Sequence, residues 1–151
     1  MHLTAFSDYS MRVLIYLALQ RGQLATIAEI ARAYGISENH LMKVVHHLAQ
    51  RGYVETVRGK GGGLRLVRDP DSVNIGVLVR DTEGNASLLE CLDAESSCCI
   101  QPACRLVGIL REAQAALFAV LDKYTLADLL HKKEMPLTRI LMVPKLQAGE
   151  Q

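Results

Sequence analysis

Cys91, Cys98, Cys99 and Cys104 are all the cysteines of the chain, and they fall within fourteen consecutive residues, Cys91-Leu-Asp-Ala-Glu-Ser-Ser-Cys98-Cys99-Ile-Gln-Pro-Ala-Cys104. Such clustering calls for a disulfide framework, a zinc site or an iron–sulfur cluster. Disulfide frameworks belong to small exported domains, and the chain does not start with the basic and then apolar stretches of an export signal. Structural zinc favours closely paired ligands such as Cys-x2-Cys. Here the gaps between Cys91, Cys98 and Cys104 are six and five residues, and no Cys-x2-Cys occurs. Inert cysteines are small hydrophobes that occur singly in apolar surroundings, whereas these stand beside Ser96, Ser97 and Gln101. Wide gaps and a turn stiffened by Pro102 suit thiolates that converge on a cluster from a partly exposed loop. The cysteine pattern favours an iron–sulfur cluster, with zinc and disulfides as the alternatives.

The rest of the chain must position this segment and say what it serves. At 151 residues, half of them apolar, the length suits one domain or one domain with an appendage. No apolar run approaches the ~18 residues that suggest a membrane span, so no membrane partner is expected. The formal charge is +1, but it is unevenly spread. Residues 1–68 hold nine Lys/Arg against four Asp/Glu, and residues 69–151 hold eight against twelve. A basic half points to a nucleic-acid partner, ordinary surface charge being the alternative.

The first helix opens at Ser7-Asp8, with Ser7 as its cap and Asp8 as a first-turn charge that suits the dipole. Met11, Leu14, Ile15 and Ala18 follow at helical spacing, Val13 and Leu17 make a second apolar stripe that predicts burial on more than one side, and Gly22 ends the helix. Thr26-Ile-Ala-Glu29 is a capping box, Gly35 a left-handed stop, and Ser37 the cap of the next helix. Two short helices joined by Tyr34-Gly-Ile-Ser37 fit a helix-turn-helix. Leu41, Val44, Val45 and Leu48 point inward on the second of them. The opposite face carries Asn39, Lys43, His46 and Gln50, flanked by His40 and His47. No acidic residue stands on that face beyond the first turn, and Asn, Lys and His donate to base edges and phosphates.

Two β-prone runs follow, Tyr53–Val57 and Leu64–Val67, around the glycine-rich tip Arg58-Gly59-Lys60-Gly-Gly-Gly63. A hairpin after a helix-turn-helix is a wing. Its glycines let the backbone approach a surface, and Arg58 and Lys60 bring charge to the tip. A phosphate-binding loop would need Gly-Lys-Ser/Thr running into a helix, which is absent. The candidate DNA-contacting set is therefore Ser37, Asn39, His40, Lys43 and His46 on the helix, with Arg58, Gly59 and Lys60 on the wing.

Ile75, Val77 and Leu78 suggest a short helix ending at Gly84. The stretch from there to Cys104 shows no apolar period, as expected of a functional loop. Residues 103–124 read as a long helix whose Leu106, Leu110, Ala113, Leu117, Val120 and Tyr124 form a coiled-coil-like seam for a partner subunit. Thr125-Leu-Ala-Asp128 caps a further short helix, and a polar tail after Leu141 is expected to be loose. The fold class is mainly α with a small β-wing. The divisions are a winged helix-turn-helix domain over 1–83, a cysteine loop over 84–104, and a dimerisation helix and tail over 105–151. Of the five histidines, three lie on the reading helix, His2 is terminal, and His131 stands beside Lys132-Lys133, so catalysis is not expected.

In combination these features resemble the cluster-binding winged-helix repressors of bacteria, and their nitric-oxide-sensing members in particular. The resemblance rests on Leu3-Thr4 with Asp8-Tyr9, on the helix-turn-helix with Asn39-His40, and on Val57-Arg-Gly-Lys60 before its glycines. It continues through Cys91, Cys98 and Pro102-Ala-Cys104-Arg-Leu106 to Tyr124-Thr-Leu-Ala-Asp128, and fades near Val143. It implies a cytoplasmic homodimer that represses transcription at a palindromic double-stranded operator and releases it when nitric oxide attacks the cluster. It also implies three cysteine ligands, Cys91, Cys98 and Cys104, with Asp8 of the other subunit as a carboxylate ligand. A [4Fe-4S] cluster is favoured over [2Fe-2S]. Cys99 departs from the family pattern and leaves the register of the Cys98-Cys99 pair open. The alternatives are a relative with a two-iron cluster that senses cluster supply, and a zinc or thiol redox regulator.

Overall fold

The computed structural model describes residues 2–84, 92, 97–130 and 134–147. Its first helix, α1, spans Ala5–Leu19 and begins earlier than expected. Thr4 is the cap, its hydroxyl accepting from the Ser7 amide at 3.3 Å, and Ser7 is buried inside the first turn. Ser7 is correct in type for a cap, but its hydroxyl is engaged elsewhere, against Thr82 and Glu83.

Helices α2 (Ile27–Tyr34) and α3 (Glu38–Gln50) follow as expected. The Thr26–Glu29 capping box closes in both directions. Gly35 takes the left-handed conformation at φ 65°, which turns the chain sharply at little steric cost. Strands β1 (Val54–Val57) and β2 (Gly63–Leu66) pair antiparallel, with Val54 opposite Leu66 and Val57 opposite Gly63. Gly63 and Leu64 also run beside Ala25, which exchanges two backbone hydrogen bonds with Leu64. A Cβ on Gly63 would lie 2.8 Å from the Ala25 carbonyl oxygen, so this close approach requires glycine.

A short 3-10 turn at Pro70–Ser72 leads to α4 (Ile75–Glu83), capped by Asn74. Further along come a 3-10 turn at Gln101–Ala103, the long α5 (Arg105–Leu121), and α6 (Leu126–Leu130). The tail is helical even past Leu141, where the sequence predicts a loose polar end. It forms α7, Glu134–Gln147, with Leu141 buried and Gln20 donating to the Met142 sulfur at 3.2 Å. Pro136 lies in the first turn, where the missing amide has no intrahelical partner to lose.

Helix α1 is the centre of the packing. It touches α2, α3, α4, α6, α7 and β2, and Val13, Leu14, Tyr16 and Leu17 are almost fully enclosed. Leu41, Val44 and Leu48 of α3 seal the core from one side, and Leu126 and Leu141 from the other. The C-terminal end of α5 is pinned to α4. Arg80 forms a two-pronged pair with Asp122 at 2.6 and 2.7 Å and lies 4.3 Å over the Phe118 ring. A Cβ on Gly76 would meet the Asp122 carboxylate at 1.9 Å, so glycine permits this closeness. Along the rest of α5 only Val107 is buried. Leu106, Ile109, Val120 and Tyr124 stand about half exposed or more, so much of the expected seam is open. Among the described residues, no helix is long and apolar enough to cross a membrane.

Candidate nucleic-acid interface and cysteine segment

The reading helix is built by local hydrogen bonds and then fixed by its neighbours. The Ser37 hydroxyl accepts from the His40 amide at 3.4 Å. With the apolar side of α3 buried, Asn39, His40, Lys43 and His46 are exposed, as are Met42 and Gln50. Ser37 lies at the exposed entrance of the helix. The structure thus brings the expected helical set onto one end and one face of α3.

The wing tip is made by Arg58 to Gly62. The Gly62 amide donates to the Gly59 carbonyl at 2.9 Å, and Gly59 and Gly61 have φ of 100° and 78°. A Cβ on Gly62 would lie 2.2 Å from the Val57 carbonyl oxygen. Arg58, Gly59 and Lys60 are all exposed there. Below the tip, Glu55 pairs across the strands with Arg65. Arg68 donates to the carbonyls of Arg51 and Gly52 at 2.7 and 3.1 Å and lies over the Tyr53 ring. The Tyr53 hydroxyl in turn donates to Asp81 of α4 at 3.2 Å. Burial first, and Asp81 second, push the Tyr53 phenol above its ordinary pKa. The wing therefore has a fixed base and a cationic, glycine-built tip.

Asp8 lies in the first turn of α1 and accepts from Arg12 at 2.9 Å. That bond holds the Arg12 pKa above its ordinary value. Arg12 also lies 5.5 Å over the ring of Tyr34, the last residue of α2. Burial pushes Tyr34 up to about 12, with Arg12 pulling the other way. Two rings flank Asp8, and sequence reasoning did not single out Phe6 or give Tyr9 a packing role. Phe6 packs edge-on to His47 at 5.3 Å, and Tyr9 packs on His40 at 6.2 Å. Their spacing of three on α1 was the available signal, since it puts both rings on one face. Glu83, also missed, accepts from the Thr4 amide at 2.8 Å, from the Thr4 hydroxyl at 3.0 Å and from Ser7. It ties the start of α1 to the end of α4, one residue before Gly84. Only the fold reveals that link, because the partners are 76 to 79 positions apart.

Cys98 and Cys99 are exposed, Cys104 is half-buried, and none of the three is in a disulfide. The backbone between them is wound. The Gln101 amide donates to the Cys98 carbonyl at 3.1 Å, and the Cys104 amide to the Gln101 carbonyl at 3.2 Å. Cys104 occupies the cap position of α5, with no side-chain hydrogen bond to the helix amides. A negatively charged ligand is favoured at such a helix start. Cys91 lies outside the described residues. Among the described residues no three His, Cys, Asp or Glu side chains gather as a metal-binding group. The donor chemistry fits iron: accessible sulfur uncommitted to disulfides, on a wound segment that ends at a helix start.

Residues 3–132 match the profile of Rrf2, described as an iron-dependent transcriptional regulator. The chain belongs to the Rrf2 family. This Rrf2 chain is 55% identical over 136 residues to the HTH-type transcriptional regulator NsrR of Bacillus subtilis, covering 89% of the chain and 93% of that protein. Its fold is similar to a transcriptional regulator from Listeria innocua, with TM-score 0.69, 29% identity and 86% of each chain covered. It is also similar to T. potens IscR, with TM-score 0.67, 25% identity and 90% of each chain covered. The winged-helix fold and the membership in this family of regulators therefore stand. The Rrf2 chain is a DNA-binding transcriptional regulator of the NsrR type, not an enzyme.

Proposed function

We propose that this Rrf2 protein is a cytoplasmic repressor that senses nitric oxide through an iron–sulfur cluster, [4Fe-4S] rather than [2Fe-2S]. Cys91, Cys98 and Cys104 hold the cluster, with Asp8 of a second copy as the carboxylate ligand. When bound, the cluster supplies an iron whose hard oxygen ligand, among soft thiolates, is the weak point open to nitric oxide. The chain's own residues do the rest. The observation that carries the reading is that Asp8 and the reading helix meet in the same stretch of α1. Phe6 and Tyr9, on either side of Asp8, touch His47 and His40 of α3, and Arg12, the partner of Asp8, lies over Tyr34 at the end of α2. A change in what Asp8 binds therefore bears directly on both helices of the DNA reader.

The half-exposed apolar face of α5 supports a homodimer, because a second copy laid along it would remove that surface from water. A two-fold dimer places two reading helices on a palindromic operator. Ser37, Asn39, His40, Lys43 and His46 then enter the major groove, and Arg58, Gly59 and Lys60 meet the backbone or minor groove. Residues 1–83 read DNA, 84–104 hold the cluster and 105–151 pair the subunits. For ligand state to control binding, the intact cluster must favour the DNA-competent arrangement by a few kcal/mol.

The test is purification without oxygen, iron and sulfide counts, an absorption spectrum before and after nitric oxide, and duplex binding in both states. A coloured protein with about four irons per chain, bleached by nitric oxide and then released from DNA, is expected. A colourless protein that binds DNA at full strength would overturn the reading. Two irons per chain would instead favour the supply-sensing alternative that the likeness to IscR raises.

A further inference from the structure

Helix α3 has one feature that phosphate contacts and polar base contacts leave unused. Met42 is 52% exposed. Among the described residues of α3 it is the one large apolar side chain left open to solvent; Leu41, Val44, Val45 and Leu48 are buried. It is the fifth residue of a helix that starts at Glu38, so it lies in the N-terminal part, which in this motif reaches base edges. Asn39 and His46 stand three residues before and four after it. They are therefore its neighbours on the helix surface, and both are exposed. Phe6 and Tyr9 hold His47 and His40 on the other edge of α3, which leaves the Met42 edge clear of α1.

In the major groove one base carries an apolar group, the 5-methyl of thymine, while asparagine pairs with adenine through N6 and N7. An Asn39–Met42 pair on one helix edge thus matches the two halves of A·T base pairs. Methionine suits the task because its unbranched thioether adapts to the surface it meets. We infer that Met42 is a specificity-determining residue that reads a thymine methyl in each half-site, selecting A·T where the start of α3 enters the groove. This rests on the DNA-reading role of α3 proposed above and adds a chemical identity to one base position.

The full chain, prepared without oxygen, is used to select duplexes from a randomised pool. Each thymine of the selected half-site is then replaced singly by deoxyuridine, which removes the methyl and nothing else. One position should weaken wild-type binding roughly fourfold per half-site, the factor that corresponds to one buried carbon group. Met42→Ala and Met42→Gln should bind the selected duplex more weakly and show no further loss at that position. Met42→Gln keeps the side-chain length and, at an exposed site, the fold. If deoxyuridine affects wild type and both variants alike, or affects none, the inference is overturned while α3 remains a DNA reader. If the pool yields no enriched duplex, the DNA-reading role fails and the inference falls with it, a distinguishable result.

Discussion

The ring of Phe6 meets the ring of His47 edge-on, with 5.3 Å between centroids. The Nε2 of His47 is buried with no hydrogen-bond partner among the described residues. His47 therefore acts here as a packed ring and not as a base contact, and it passes the position of the α1 start to the last turn of α3. Phe6→Ala should lower unfolding free energy by about 2 kcal/mol, less than a fully buried phenylalanine because Phe6 is partly exposed. It should also weaken duplex binding roughly tenfold, the effect of misplacing the helix by about 1.4 kcal/mol. Urea unfolding and duplex titration measure the two. Unchanged binding by the folded variant would show that α3 keeps its place without this contact.

Glu83 makes the start of α1 sensitive to acid. Burial alone would raise its carboxyl, but hydrogen bonds from Ser7 and Thr4 outweigh it and hold the pKa below its ordinary 4.5. A carboxyl lowered by folding binds a proton more readily in the unfolded chain. Its stabilisation is therefore whole above pH 4.5 and drains as pH falls through the folded-state value. Glu83→Gln should be less stable than wild type at pH 7, and the gap should narrow as pH falls below 4.5. Urea midpoints across that range measure it, and a gap that stayed constant to pH 3 would mean that the charge of Glu83 contributes nothing.

The parts legible in the sequence are those set by near neighbours. Thr26, Ser37 and Gly35 act on amides and dihedral angles within a few residues, so their roles can be read without a fold. The wing tip was equally legible, because Gly62 is required by the carbonyls of Val57 and Gly59, close by in sequence, whereas the demand on Gly63 comes from Ala25, far back along the chain. The start of α1 was not, because Ser7 is withdrawn from capping by Thr82 and Glu83, far along the chain. Helix α7 was hidden by Pro136, which reads as a breaker unless it falls in a first turn. The flanking position of His47 was visible, but not the burial of its Nε2. At the cysteines the residue types argued for a chemistry, while the proposed convergence of thiols involves Cys91, which lies outside the described residues.

Lys43 and Arg58 should behave alike although they belong to different elements. Each is exposed, one on the outer face of α3 and one at the wing tip. A phosphate contact releases about one counterion per charge. Lys43→Ala and Arg58→Ala should each lower the slope of log affinity against log salt by roughly one, with little change in base preference. Arg65→Ala is the control, since Arg65 is paired with Glu55 within the wing and should leave the slope unchanged. Affinity titrations at several salt concentrations decide it. A slope unaltered by both substitutions would remove these residues from the DNA backbone.

Cys98 and Cys99 are adjacent and both exposed, and successive residues of a wound backbone point in different directions. One of the pair should face the other ligands while its neighbour faces away. The proposed ligand set takes Cys98, with five residues between it and Cys104, so Cys98→Ala should lose most of its iron and Cys99→Ala should retain it. Cys91→Ala and Cys104→Ala should lose iron as Cys98→Ala does, and with it the difference in duplex affinity made by nitric oxide. Iron analysis of proteins prepared without oxygen gives the answer directly. Loss in Cys99→Ala with retention in Cys98→Ala would move the register by one residue. Full iron in Cys91→Ala or Cys104→Ala would mean that the group is not held by the three thiols proposed.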